Sequence, residues 1–116
     1  MEKKRNAGIK GEQQARRYYE ERGFEILEVN YRHNRAEIDF IALTKDEKLL
    51  VFVEVKKRSR SDFGYPETFV STAQQDRIKS AAEEYIYGIN WIKDIRFDIV
   101  SVDSYNQLEV FEDAFS

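Results

Sequence analysis

The stretch Leu49 to Arg58, LLVFVEVKKR, constrains the fold of this chain more than any other. Leu49 to Val53 is an unbroken apolar run bounded by polar residues, which reads as a buried strand. It runs straight into Glu54 and Lys56, with only Val55 between them. Side chains alternate along a strand, so the carboxylate and the ammonium share one face, roughly 7 Å apart along it. Charges at the end of a central strand are costly to bury. They form either a structural ion pair or half of a site, and the rest of the chain must decide which.

The neighbouring segment supplies a second carboxylate. Glu37 to Leu43, EIDFIAL, reads as another strand, with Asp39, Ile41 and Leu43 on one face and Ile38, Phe40 and Ala42 on the other. Thr44 to Lys48, TKDEK, is a polar turn joining it to the first strand. Antiparallel partners across that hairpin have numbers summing to about 92. Asp39 is therefore expected beside Val53, Glu54 or a near neighbour. Two carboxylates in an apolar setting repel unless protonated or cation-bound, and a divalent cation is the simplest way to keep both ionised.

The flanking segments complete the order of elements. Asn6 is expected to cap a helix from Ala7 to Arg22, ended by Gly23. Its inward stripe carries Gly8, Glu12, Ala15 and Tyr19. Gly8 and Gly11 cost helix stability and suggest a close approach at the first turn. Phe24 to Tyr31 reads as a strand and Arg32 to Arg35 as a polar turn containing His33, the only histidine. After the central strand, the segment SRSDFGYPETF, with Gly64 and Pro66, is long enough for a substrate-contacting loop. Ser71 or Thr72 caps a second helix, whose stripe of Ile78, Ala81, Ala82, Tyr85, Ile86 and Ile89 is core packing. Ile95 to Val102 alternates as a strand, Leu108 to Phe111 adds a short edge strand, and the acidic tail frays. The expected fold class is α/β in the order αβββαβ, a mixed sheet flanked by helices, forming a single domain over residues 1–116.

Composition narrows the chemistry. With no cysteine, thiolate chemistry is excluded; with one histidine besides, a structural zinc site is not expected, and a metal would need carboxylates, which suit Mg²⁺ or Mn²⁺. No apolar run reaches membrane-spanning length and the start lacks a signal-peptide core, so the expectation is a cytoplasmic protein with no membrane. Net charge is -3, but it is unevenly spread. Residues 1–60 hold 15 Lys and Arg against 11 Asp and Glu; residues 61–116 hold 4 against 11. The basic half carries the Glu54–Lys56 pair, and phosphate affinity follows local clusters.

An Asp on one strand and Glu-any-Lys on its neighbour resembles the pattern of restriction-endonuclease-like nucleases. The segments GIKGEQQARRYYEERGFEILEVNYR, AEIDFIA, VFVEVKKRS, FGYPE and RFDIV, in this order, resemble the bacterial YraN-like family. That family is regarded as one of predicted nucleases with a restriction-endonuclease-like fold, related to archaeal Holliday-junction resolvases. The resemblance implies Glu12, Asp39, Glu54 and Lys56 as the catalytic set. It departs from the family at Ala36, where Gly is usual, and at Gln74, where Lys is common. In such a site Asp39, Glu54 and the carbonyl of Val55 would hold the cation. Lys56 would orient a water and offset phosphate charge, and Glu12 would hold the water from the helix side. Lys57, Arg58, Arg60 and Arg35 are the expected phosphate contacts. The implied partner is a nucleic acid, DNA first, and resolvase relatives imply a homodimer, since two strands must be cut. The alternative is a non-catalytic nucleic-acid-binding or protein-interaction module on the same fold. No base-reading motif is present, so recognition is expected through shape and phosphate.

Overall fold

A computed structural model describes residues 2–58 and 70–116, with side chains from residue 10 onward. The loop at 59–69, including Arg60, and the surroundings of Gly8 lie outside the described residues. Helix α1 (Glu2–Glu21) precedes strands β1 (Glu25–His33), β2 (Ala36–Leu43) and β3 (Leu49–Lys57). Helix α2 (Thr72–Ile89) and strands β4 (Asp94–Val102) and β5 (Leu108–Phe115) follow. The strands form one sheet in the order β1-β2-β3-β4-β5. Only the β3–β4 pair is parallel, and a parallel pair needs a crossover connection, here containing α2. This is the expected α/β class, a mixed sheet of restriction-endonuclease-like architecture flanked by two helices. No described helix is long and apolar enough to cross a membrane.

β3 lies at the centre because both of its faces are apolar. Leu50 and Phe52 pack with Ile41, Leu43 and the α2 residues Ile78, Ala81, Ala82 and Tyr85. Val51 and Val53 pack on the other side with Phe40, Ala42, Val100 and the α1 residues Ala15 and Tyr19. α2 starts where the cap chemistry places it, since the Ser71 hydroxyl accepts the Gln74 amide at 3.1 Å. It stops at Asn90, which adopts the left-handed conformation (φ 57°) that a C-terminal cap requires.

Four local expectations are corrected. α1 begins at Glu2, so Asn6 lies within the helix rather than capping it. Gly11 is buried, yet a Cβ there would meet Val102 at an ordinary 3.6 Å, so no close approach demands glycine. The acidic tail is not frayed. β5 continues to Phe115, which stacks on Phe97 at 5.0 Å, and the Asp113 amide donates to Asp98 Oδ1 at 3.0 Å. Finally, Ile38 packs with Ile41 and Leu43, not with Phe40 and Ala42. Strict alternation along β2 breaks at Asp39. Asn30, between the Val29–Phe40 and Tyr31–Ile38 pairs, has a left-handed φ of 55°.

Candidate active site

The break in β2 falls where the sheet opens. β2 follows β3 only as far as the Phe40–Val53 pair, whereas β3 stays paired to β4 as far as Lys57–Val102. The β2-facing edge of β3 is thus unpaired beyond Val53, and Asp39 stands in the fork. Its Oδ2 accepts the Val55 amide at 2.6 Å, a side chain replacing the missing strand partner. In a strand, the N–H and C=O of one residue point toward the same neighbour, so the Val55 carbonyl faces the fork as well.

Two more carboxylates reach Asp39 from opposite sides of the sheet. Glu12 projects from α1, half-buried, with its pKa raised by burial, by the Asp39 charge and by a hydrogen bond to Asp39. Glu54, only 8% exposed, lies on the α2 side. Burial and the Glu54 charge raise Asp39, partly offset by the Val55 amide. Burial also raises Glu54, while Asp39 and Lys56 pull it back. Two adjoining buried charges of one sign are unfavourable, so protonation of the pair is favoured in the absence of a cation. Lys56 Nζ sits 3.3 Å from Glu54 Oε2. Glu12, Asp39, Glu54, Val55 and Lys56 are therefore brought together at one fork.

The phosphate contacts expected from sequence divide. Arg35, in the Asn34–Arg35 turn between β1 and β2, lines the same cleft as Asp39 and Glu54. By alternation Lys57 shares the side of the sheet occupied by Val53 and Val55, away from Glu54 and Lys56. Arg58 is engaged by Glu109 of β5 at 2.6 Å.

Two site neighbours lie outside the set expected from sequence, in which Gln74 figures only as a departure from the family's Lys at a possible phosphate contact. Gln74 donates to Glu54 Oε2 at 2.8 Å, and Arg77 lines the same cleft. The signal for Gln74 was present, since it lies one turn before Ile78 on the apolar stripe and so must point at the sheet. Arg77 carries no such signal.

A second charged cluster lies on the α1 side. Asp98 is fully buried and accepts from Tyr19 at 2.7 Å and from Arg96 at 2.8 and 2.9 Å. Burial and the Asp98 charge raise the Tyr19 pKa far above its usual value. Every oxygen of Asp98 is satisfied, so this cluster ties α1, β4 and β5 together. Ser101, beside Lys56 in the parallel ladder, is buried, and its hydroxyl has no hydrogen-bond partner among the described residues.

Fold and site together define an α/β protein of restriction-endonuclease-like architecture, with carboxylates at the fork of its central strands. The chain belongs to the family described as uncharacterised protein family UPF0102, whose model matches residues 11–102. This is the YraN-like family that the sequence motifs resemble. It is 42% identical over 95 residues to a UPF0102 protein of Cytophaga hutchinsonii, covering 82% of each chain. It is 45% identical over 116 residues to one of Shewanella pealeana, covering 99% of this chain and all of that one. A Flavobacterium psychrophilum member is 39% identical over 118 residues, covering 99% of this chain and 98% of its own.

Proposed function

We propose that the protein is an endonuclease that hydrolyses phosphodiester bonds of DNA, branched structures included, with Mg²⁺ or Mn²⁺ as cofactor. The observation that carries the reading is Asp39 in the β2–β3 fork, contacted by Glu12 on one side and Glu54 on the other, with Lys56 against Glu54.

The donor set fits a hard divalent cation, being carboxylate oxygens of Asp39 and Glu54 and the Val55 carbonyl. Among the described residues, no group of three or more His, Asp or Glu side chains, Glu12, Asp39 and Glu54 included, is placed so that together they could hold a metal ion. Mg²⁺ needs no such group, since it keeps several waters and takes one or two carboxylates. When bound, the cation would polarise the attacking water and offset charge on the phosphate. Glu12 holds that water from the α1 side. Lys56, released from Glu54, faces the phosphate and stabilises charge that grows on it. A P–O bond forms to the water oxygen, whose proton passes to solvent, as the ester P–O bond breaks, and the departing oxygen takes up a proton from solvent. A cytoplasmic homodimer would present two such sites to two strands.

The rival reading, a binding module without catalysis, draws on the Glu54–Lys56 ion pair as a purely structural contact. The two separate by experiment. Branched, single-stranded and duplex DNA are incubated with Mg²⁺ or Mn²⁺ and either wild type or Glu54→Ala. Cleavage by wild type and its loss in the variant support the nuclease. Equal cleavage by both preparations would mean contamination and sink it, and binding without cleavage favours the module.

A further inference from the structure

The cleft does not end at the carboxylates. A hollow of about 320 Å³ holds Asp39, Glu54 and Gln74, and a second of about 480 Å³ adjoins it. The two share Arg35, Ala36 and Arg77. The second is lined further by His33, Asn34 and Ser80, and among the described residues no carboxylate lines it. Charge therefore changes sign along one groove. Acids stand where a cation would sit, and arginines stand beyond them.

The two arginines come from different elements. Arg35 occupies the tight turn between β1 and β2, while Arg77 lies on the outer flank of α2 beside buried Ile78. Both are exposed. Among the described residues neither makes an ion pair. The remaining acid among the described residues of the first hollow, Glu37, is taken by Arg32 at 3.0 Å. Two guanidinium groups left uncompensated along one groove repel each other and attract an anion. Guanidinium groups favour phosphate, which they grip through paired N–H donors.

We infer that this groove is the track for a nucleic-acid strand, with Arg35 and Arg77 holding a phosphate next to the one placed over Asp39 and Glu54. The inference rests on the nuclease reading and adds the substrate's path. The strand passes from the carboxylates over the β1–β2 turn and along the outer flank of α2. It does not follow Lys57, on the other side of the sheet, or Arg58, which is held by Glu109. Such contacts position a strand without reading its bases.

The test compares wild type, Arg35→Ala, Arg77→Ala, the double variant and Lys57→Ala. Binding of labelled branched and single-stranded DNA is titrated in Ca²⁺ across a salt series, and cleavage is followed in Mg²⁺. Thermal melting checks that each variant folds. Each arginine removed should lower the slope of log affinity against log salt by roughly 0.7–0.9. Affinity should fall several-fold, whereas Lys57→Ala should behave as wild type. Arginine variants that bind and cleave like wild type overturn the track and leave the nuclease reading standing. A slope lowered by Lys57→Ala alone moves the path to the other side of the sheet and also overturns it. Wild type that neither binds nor cleaves removes the nuclease reading itself, and the track with it.

Discussion

Asp39 Oδ2 accepts the Val55 amide at 2.6 Å at the point where β2 and β3 part. One bond thus does two things. It satisfies a backbone donor that the opening fork would strand, and it holds Asp39 between Glu12 and Glu54. Function and local fold are coupled there, because β2 cannot keep its carboxylate in the fork and continue pairing with β3.

The first prediction concerns pH. Burial and the Glu54 charge push Asp39 up to about 7 from an unfolded value near 3.8. A carboxyl raised in this way contributes stability that is full below the unfolded value and lost as pH rises through the folded one. In EDTA, the urea midpoint should therefore fall as pH rises from about 5 to about 8. Mg²⁺ should restore it at the alkaline end by favouring the ionised site. Asp39→Asn should flatten the dependence. A wild-type midpoint that climbs over this range would contradict the prediction.

Gln74 is expected to act through Glu54. Replacing it with Ala removes a donor from a carboxylate that burial already raises. The Glu54 pKa should rise further. The acidic limb of the pH–rate profile should then move to higher pH, with cleavage recovering in alkaline buffer. A uniform loss of rate at every pH would instead indicate damage to the fold.

The Asp98 cluster should matter for stability rather than for chemistry. Tyr19→Phe leaves both Arg96 bonds to Asp98 in place and should cost about 1–2 kcal/mol. Asp98→Ala strands the Arg96 charge, for which Glu112 at 3.6 Å is a weak substitute, and should cost about 3–5 kcal/mol. Chemical denaturation measures both. Equal costs for the two variants would mean that the tyrosine, not the ion pair, anchors α1.

Gly11→Ala should stabilise the protein by up to about 1 kcal/mol, because alanine favours helix and its methyl group fits against Val102. A lower melting temperature in the variant would show that the turn carrying Glu12 needs glycine after all.

Much of this protein was written locally. The apolar run of β3, the Ser71 cap and the Asn90 stop of α2, and the β2–β3 hairpin each depend on residues close in the chain. Backbone geometry and the burial of apolar stripes act at that range. Asp39 and Glu54 could be placed at one edge of the sheet because a short turn leaves two strands almost no choice of register. Sequence alone thus determined the αβββαβ order, the two-sided core of β3 and the neighbouring carboxylates. Tertiary structure decided the rest. The Tyr19–Asp98 bond spans 79 positions, and the Gln74–Glu54 bond depends on how α2 docks on the sheet. The groove between Arg35 and Arg77 exists only once that docking is made, and the full length of β5 waits on Phe97 and Asp98 to receive it. Such contacts join segments that carry no local trace of one another, since a buried charge selects its partner only after the surrounding core has closed.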